Sequence, residues 1–133
     1  MIIFAIDPGN MESAYALIEM PYFQLLDFGK VENERLLESI QFHAGQADRF
    51  AIEMVASYGM PVGKDVFETC VWIGRFIQAA ETEHHFVYRK DEKMYLCFDS
   101  RAKDSNIRQA LIDQYAKFDY KSGKGTKKNP DTF

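Results

Sequence analysis

The chain has 133 residues, 47% of them hydrophobic and 14% aromatic, which suits one domain around one core and leaves little room for a second. Its apolar stretches are too short and interrupted to span a bilayer, and Met1-Ile2-Ile3-Phe4 runs into Asp7 with no basic leader or small-residue cleavage site, so a cytosolic protein without a membrane partner is expected. The net charge of −4 excludes a uniformly basic coat, yet Lys and Arg gather after position 86 while acids dominate the first third, so a polyanion could bind locally; ordinary solvated charge fits the same numbers.

Taken in chain order, hydrophobic periodicity predicts strands at about 2–7, 13–19 and 22–30, a helix at about 33–46 and a strand at about 49–53. After a loop come a long helix at about 64–82, a strand at about 85–89, and helices at about 91–97 and 105–118. Three strands before the first helix, then alternation, indicate a mixed α/β sheet flanked by helices, antiparallel first and parallel afterwards.

The long helix carries Val66, Cys70, Ile73, Ile77 and Ala80 at helical spacing, widened by Phe67, Val71, Trp72 and Phe76, which implies burial against the sheet with a remainder at a partner interface. The late helix repeats the pattern with Ile107, Leu111, Tyr115 and Phe118, so it should pack as a core helix with Asp104 or Ser105 capping it. Residues 121–133, with two Gly, four Lys and no apolar period, read as a flexible basic tail behind a domain spanning 1–120.

Two strands end in an acid: Ile2 to Ile6 in Asp7, and Phe50-Ala51-Ile52 in Glu53. Asp7-Pro8-Gly9 alone is also what an Asx-turn stopping a strand looks like. Two carboxylates converging at neighbouring strand ends, however, repel each other unless a cation lies between them, and a hard ion such as Mg²⁺ is held through one or two carboxylates plus water and phosphate. Asp7 and Glu53 are therefore the candidate metal ligands and catalytic residues, in a chemistry that hydrolyses phosphodiesters.

From Glu53 the chain enters a Gly- and Pro-bounded loop, where Tyr58 and Met60 either stack on or wedge between bases or fold back as a lid on the core. Lys64 stands where a helix start and a cation together can hold a phosphate. Arg89-Lys90 and Arg101-Ala102-Lys103 suit phosphate contacts that position a duplex, or are solvated loop charges; Asp104 serves as a helix cap or reaches toward the metal site. Cys70 and Cys97 read as reduced, packed thiols, and His43, His84 and His85 as surface or satisfied core residues.

Ala5-Ile6-Asp7-Pro8-Gly9, Phe50-Ala51-Ile52-Glu53, the adjoining loop and long helix, and Lys103-Asp104-Ser105-Asn106-Ile107-Arg108 together resemble RuvC-like Holliday junction resolvases, especially short phage-type members, over Met1 to Phe118. The resemblance implies a ribonuclease H-like fold, a homodimer, Mg²⁺ or Mn²⁺, and paired nicks in four-way or branched DNA junctions. It implies Asp7 as first and Glu53 as second metal ligand, Tyr58 and Met60 on the loop that pries at the junction centre, and Lys90 and Lys103 near positions that touch DNA phosphates. The family continues into a last helix bearing an acidic pair, which does not occur before Phe133, and Asp131 in its Pro-bounded loop is not assigned that role. An impaired module that binds junctions without cutting them is the alternative, and an ATPase or an RNA-cleaving enzyme of the same fold is a third reading.

Overall fold

Along β1 (Ile2–Asp7), Phe4 and Ile6 turn to one side and Ile3, Ala5 and Asp7 to the other, the two-residue alternation of a pleated strand. In the computed structural model, which describes residues 1–115 and the backbone of 118–119 and 124–125, this strand is the centre of a five-stranded sheet. β2 (Glu12–Glu19) pairs antiparallel with β1, and β3 (Gln24–Glu32) antiparallel with β2. β4 (Arg49–Met54) lies parallel on the other side of β1, and β5 (His84–Tyr88) parallel to β4, giving the order β3-β2-β1-β4-β5. The mixed sheet with antiparallel strands first and parallel strands after is the one the sequence predicts.

Helices α1 (Asn33–His43) and α2 (Lys64–Ala80) supply the two connections into parallel strands, β3 to β4 and β4 to β5, where a hairpin cannot reach. Both pack on the Phe4 face. Leu36 and Ile40 of α1 and Ile73, Phe76 and Ala80 of α2 close over Phe4, Ile6, Leu17, Phe50 and Ile52 in one buried cluster. Phe4 is fully buried, stacked on Tyr15 at 5.5 Å and on Phe50 at 5.2 Å between centroids. Burying each such ring stabilises the fold by roughly 1.5–3 kcal/mol.

Several boundaries move for local reasons. α2 stops at Ala80 instead of 82 because Glu81 takes the left-handed conformation, φ 52°. α1 stops at His43 instead of 46, its carbonyl accepting the amides of both Gln46 and Ala47. β3 begins at Gln24 rather than 22 because Phe23, φ 53°, is still in the turn. The wide apolar face predicted for α2 is only partly buried: the inward stripe is Thr69, Ile73, Phe76 and Ala80, while Phe67 and Val71, one turn apart, are 61% and 64% exposed.

The chain forms two compact units, Met1–Tyr88 and Arg89–Phe133. In the second, α3 (Arg89–Cys97) contacts α4 (Asp104–Tyr115), and β6 (Phe118–Asp119) pairs antiparallel with β7 (Lys124–Gly125). The predicted core helix 105–118 is corrected in two respects. Ile107 is buried but Leu111 is 42% exposed, and Phe118 belongs to a strand. The tail predicted for 121–133 lies, apart from the backbone of 124–125, outside the described residues. Among the described residues no helix is long and apolar enough to cross a membrane.

Candidate active site

The ladder between β1 and β4 runs Ile3 to Arg49, Phe4 to Phe50, Ala5 to Ala51 and Ile6 to Ile52. Asp7 and Glu53 are each the next residue along, so the two acids follow the same rung of neighbouring parallel strands and leave the sheet on the same face. That face is the one opposite the α1 and α2 core, since Ile6 and Ile52 take the inward positions. Beside Asp7 it is lined by short side chains, with Asp7 opposite Ala14 and Ala5 opposite both Ala16 and Ala51, while Glu53 stands opposite Val87 of β5. Asp7 is exposed and Glu53 half-buried.

As a donor set, two carboxylates on a rigid rim suit a hard divalent ion whose other positions are filled by water and substrate phosphate. Among the described residues there is no group of three or more His, Cys, Asp or Glu side chains placed to enclose an ion without such help.

The turn after Asp7 is held by residues that sequence reading passed over. The Gly9 N–H donates to Ser13 Oγ at 3.0 Å, and the Gly9 carbonyl accepts from Asn33 Nδ2 at 2.9 Å. Ser13 Oγ donates to Asn33 Oδ1 at 2.6 Å, and the Asn33 N–H to the Met11 carbonyl at 2.9 Å. The available signal was a serine at an inward position of an otherwise apolar strand face, beside Tyr15 and Leu17.

Between β4 and α2 the chain makes a tight turn, with the Met60 N–H donating to the Ser57 carbonyl at 2.9 Å. Tyr58 and Gly59 both have positive φ, 49° and 80°. Tyr58 is 63% and Met60 72% exposed, so neither folds back as a lid and that alternative falls. Lys64 opens α2 behind Gly63, where no side chain caps the first amides, and its own ammonium lies 3.5 Å from Glu68 in an exposed pair. Asn10 Nδ2 reaches Asp65 Oδ1 at 3.4 Å, which ties the turn after Asp7 to the first turn of α2.

In the second unit Lys90 and Lys103 are exposed, at the second residue of α3 and just before α4. Asp104 does not cap α4. Its carboxylate accepts from Arg89 Nη2 at 2.5 Å, and that guanidinium hydrogen bond, then its charge, holds the Asp104 carboxyl below the usual range. Asn106 acts at the start of α4 instead, its Oδ1 accepting the Lys103 N–H at 3.0 Å. Cys70 and Cys97 are free and half-buried. His85 faces Glu83 at 3.5 Å, and His84 stacks edge-on against Phe86. His43 is tucked against Phe4 and lies 3.8 Å from Asp27.

A five-stranded mixed sheet in this order, flanked by helices, defines the ribonuclease H-like fold in its RuvC-like form. The RuvC structure of Thermus thermophilus superposes with a TM-score of 0.64 at 14% identity, over 84% of this chain and 78% of that one. The T. thermophilus RuvC in complex with a Holliday junction substrate gives 0.69, also at 14% identity and over the same shares. At that identity the likeness establishes the fold. No family model matches the sequence, and no curated protein does.

Proposed function

We propose that this chain is a metal-dependent, structure-selective endonuclease that nicks four-way or branched DNA by phosphodiester hydrolysis. The observation that carries the reading is the pair Asp7 and Glu53, just past one shared rung of adjacent strands on one face of a RuvC-like sheet. The T. thermophilus protein of this fold is known bound to a Holliday junction, which supports the choice of substrate.

Asp7 and Glu53 would hold Mg²⁺ or Mn²⁺, with the scissile phosphate completing the set. Bound there, a divalent ion supplies Lewis-acid activation of the phosphodiester and favours attack by water. Around that centre Tyr58 and Met60, large, exposed and on a strained turn, stack on or wedge between bases at the junction. Lys64, Lys90 and Lys103 contact phosphates and fix the DNA without reading its sequence. Paired nicks on opposed strands need two such centres, and the exposed Phe67 and Val71 on α2 support a homodimer.

A second reading is favoured by one observation, the lack of a third ligand among the described residues. A chain that binds junctions without hydrolysing them would keep the same fold and loop. Labelled four-way junction incubated with the chain and Mg²⁺ separates the two. Nicks that vanish in Asp7→Asn support the nuclease; salt-sensitive binding without nicks supports the binding module, and no junction affinity at low salt removes both.

A further inference from the structure

We infer that Ser13 and Asn33 are positioning residues for Asp7, fixing through the backbone of Gly9 the direction in which its carboxylate leaves the sheet; this rests on the nuclease reading. On its N-terminal side Asp7 is held by the β1 ladder, where Ile6 is paired with Tyr15 of β2 and Ile52 of β4. On its C-terminal side Pro8 has no N–H to anchor. Gly9 is the first residue there with both backbone groups available, and both are engaged, the N–H by Ser13 and the carbonyl by Asn33. The Ser13 hydroxyl then closes the ring onto Asn33, so each polar group supports the next. A Cβ at Gly9 would collide with the Glu12 carbonyl, so the turn admits no side chain at that place.

Core packing does not account for the pair. Ser13 and Asn33 are each 1% exposed, on the sheet face and helix end that otherwise bury Leu17, Leu36 and Ile40. An apolar pair would give up the Ser13–Asn33 bond at little net cost but would leave the Gly9 N–H and carbonyl without partners, so what the polar pair serves is that turn. What the polar pair adds is direction: a turn pinned at both backbone groups of one residue, two residues after a metal ligand. Groups that orient a ligand in this way are worth roughly 10- to 100-fold in metal affinity.

The test compares the full chain with Ser13→Ala, which removes both bonds of the hydroxyl, and Ser13→Thr, which keeps them. Junction cleavage is measured against Mg²⁺ concentration, and Gly9 amide exchange by NMR. Ser13→Ala is expected to speed Gly9 exchange and to raise the half-saturating Mg²⁺ roughly tenfold, with most of the rate recovered at saturation, while Ser13→Thr behaves as the parent. If Ser13→Ala does not fold, Asn33→Ala is read in the same way. Fast Gly9 exchange with an unchanged Mg²⁺ requirement would overturn the inference alone, as would a loss that saturating Mg²⁺ cannot recover. A parent chain that cuts no junction at any Mg²⁺ concentration would overturn the nuclease reading and this inference with it.

Discussion

Ile6 and Ile52 face each other on parallel strands, both buried against the helices, and this rung sets the direction of the acid beyond it on each strand. With the isoleucines inward, the next residue on each strand must turn outward, so Asp7 and Glu53 emerge together on the uncrowded alanine face. Replacing either acid by its amide keeps the shape and removes the charge. Asp7→Asn and Glu53→Gln should each lower junction cleavage by more than about 100-fold, the upper end for residues that only orient a ligand. Circular dichroism melts should show the fold intact.

Tyr58 sits in the left-handed region, where a bulky residue is disfavoured by roughly 1–2 kcal/mol. Asn tolerates that conformation. Tyr58→Asn should therefore leave stability unchanged or raise it by up to about 1 kcal/mol, yet weaken junction binding about tenfold, the worth of one lost stacking contact. Equilibrium unfolding and gel-shift titrations on the same preparation would show the two effects moving in opposite directions.

Phosphate contacts are read from salt dependence. Lys90→Ala and Lys103→Ala should each flatten the slope of log affinity against log salt by roughly 0.7 to 0.9 and weaken binding to any junction sequence alike. An unchanged slope would return these side chains to ordinary solvated charge.

The hydroxyl of Tyr15 donates to Asp27 at 3.0 Å, and burial, then this bond and the Asp27 charge, raise its pKa above the ordinary 10.0. The neutral phenol is thus favoured in the folded state. Its contribution is fully present below about pH 10, the unfolded value, and is lost as pH rises through the higher folded value. Tyr15→Phe should remove that alkaline loss, and urea unfolding at pH 8 and pH 11 would measure it.

Phe4 is the ring on which the sheet core is assembled, flanked by Tyr15 and Phe50. Phe4→Ala should cost about 3–5 kcal/mol in chemical denaturation, and a cost under about 1 kcal/mol would contradict the packing described.

Much of this architecture was legible in the sequence. Strands β1 and β4 announce themselves by continuous apolar runs ending in acids, and α2 by a stripe at helical spacing; their order dictates the mixed sheet. Periodicity implied that part of the wide stripe would stay outside the core but could not say that this part is Phe67 and Val71. It could not foresee that Arg89, fifteen residues away, would take the Asp104 carboxylate. Ser13 and Asn33 escaped notice because a lone serine in a strand and an asparagine at the start of a helix are common, and their meaning lies in a long-range bond across twenty residues.

A divalent ion shared by Asp7 and Glu53 is the centre of the proposed chemistry. Anomalous diffraction from crystals grown in Mn²⁺ is its most direct measurement. A peak between the two carboxylates, absent in Glu53→Gln, is the predicted result; Mn²⁺ bound only elsewhere, or no peak in the parent chain, would contradict it.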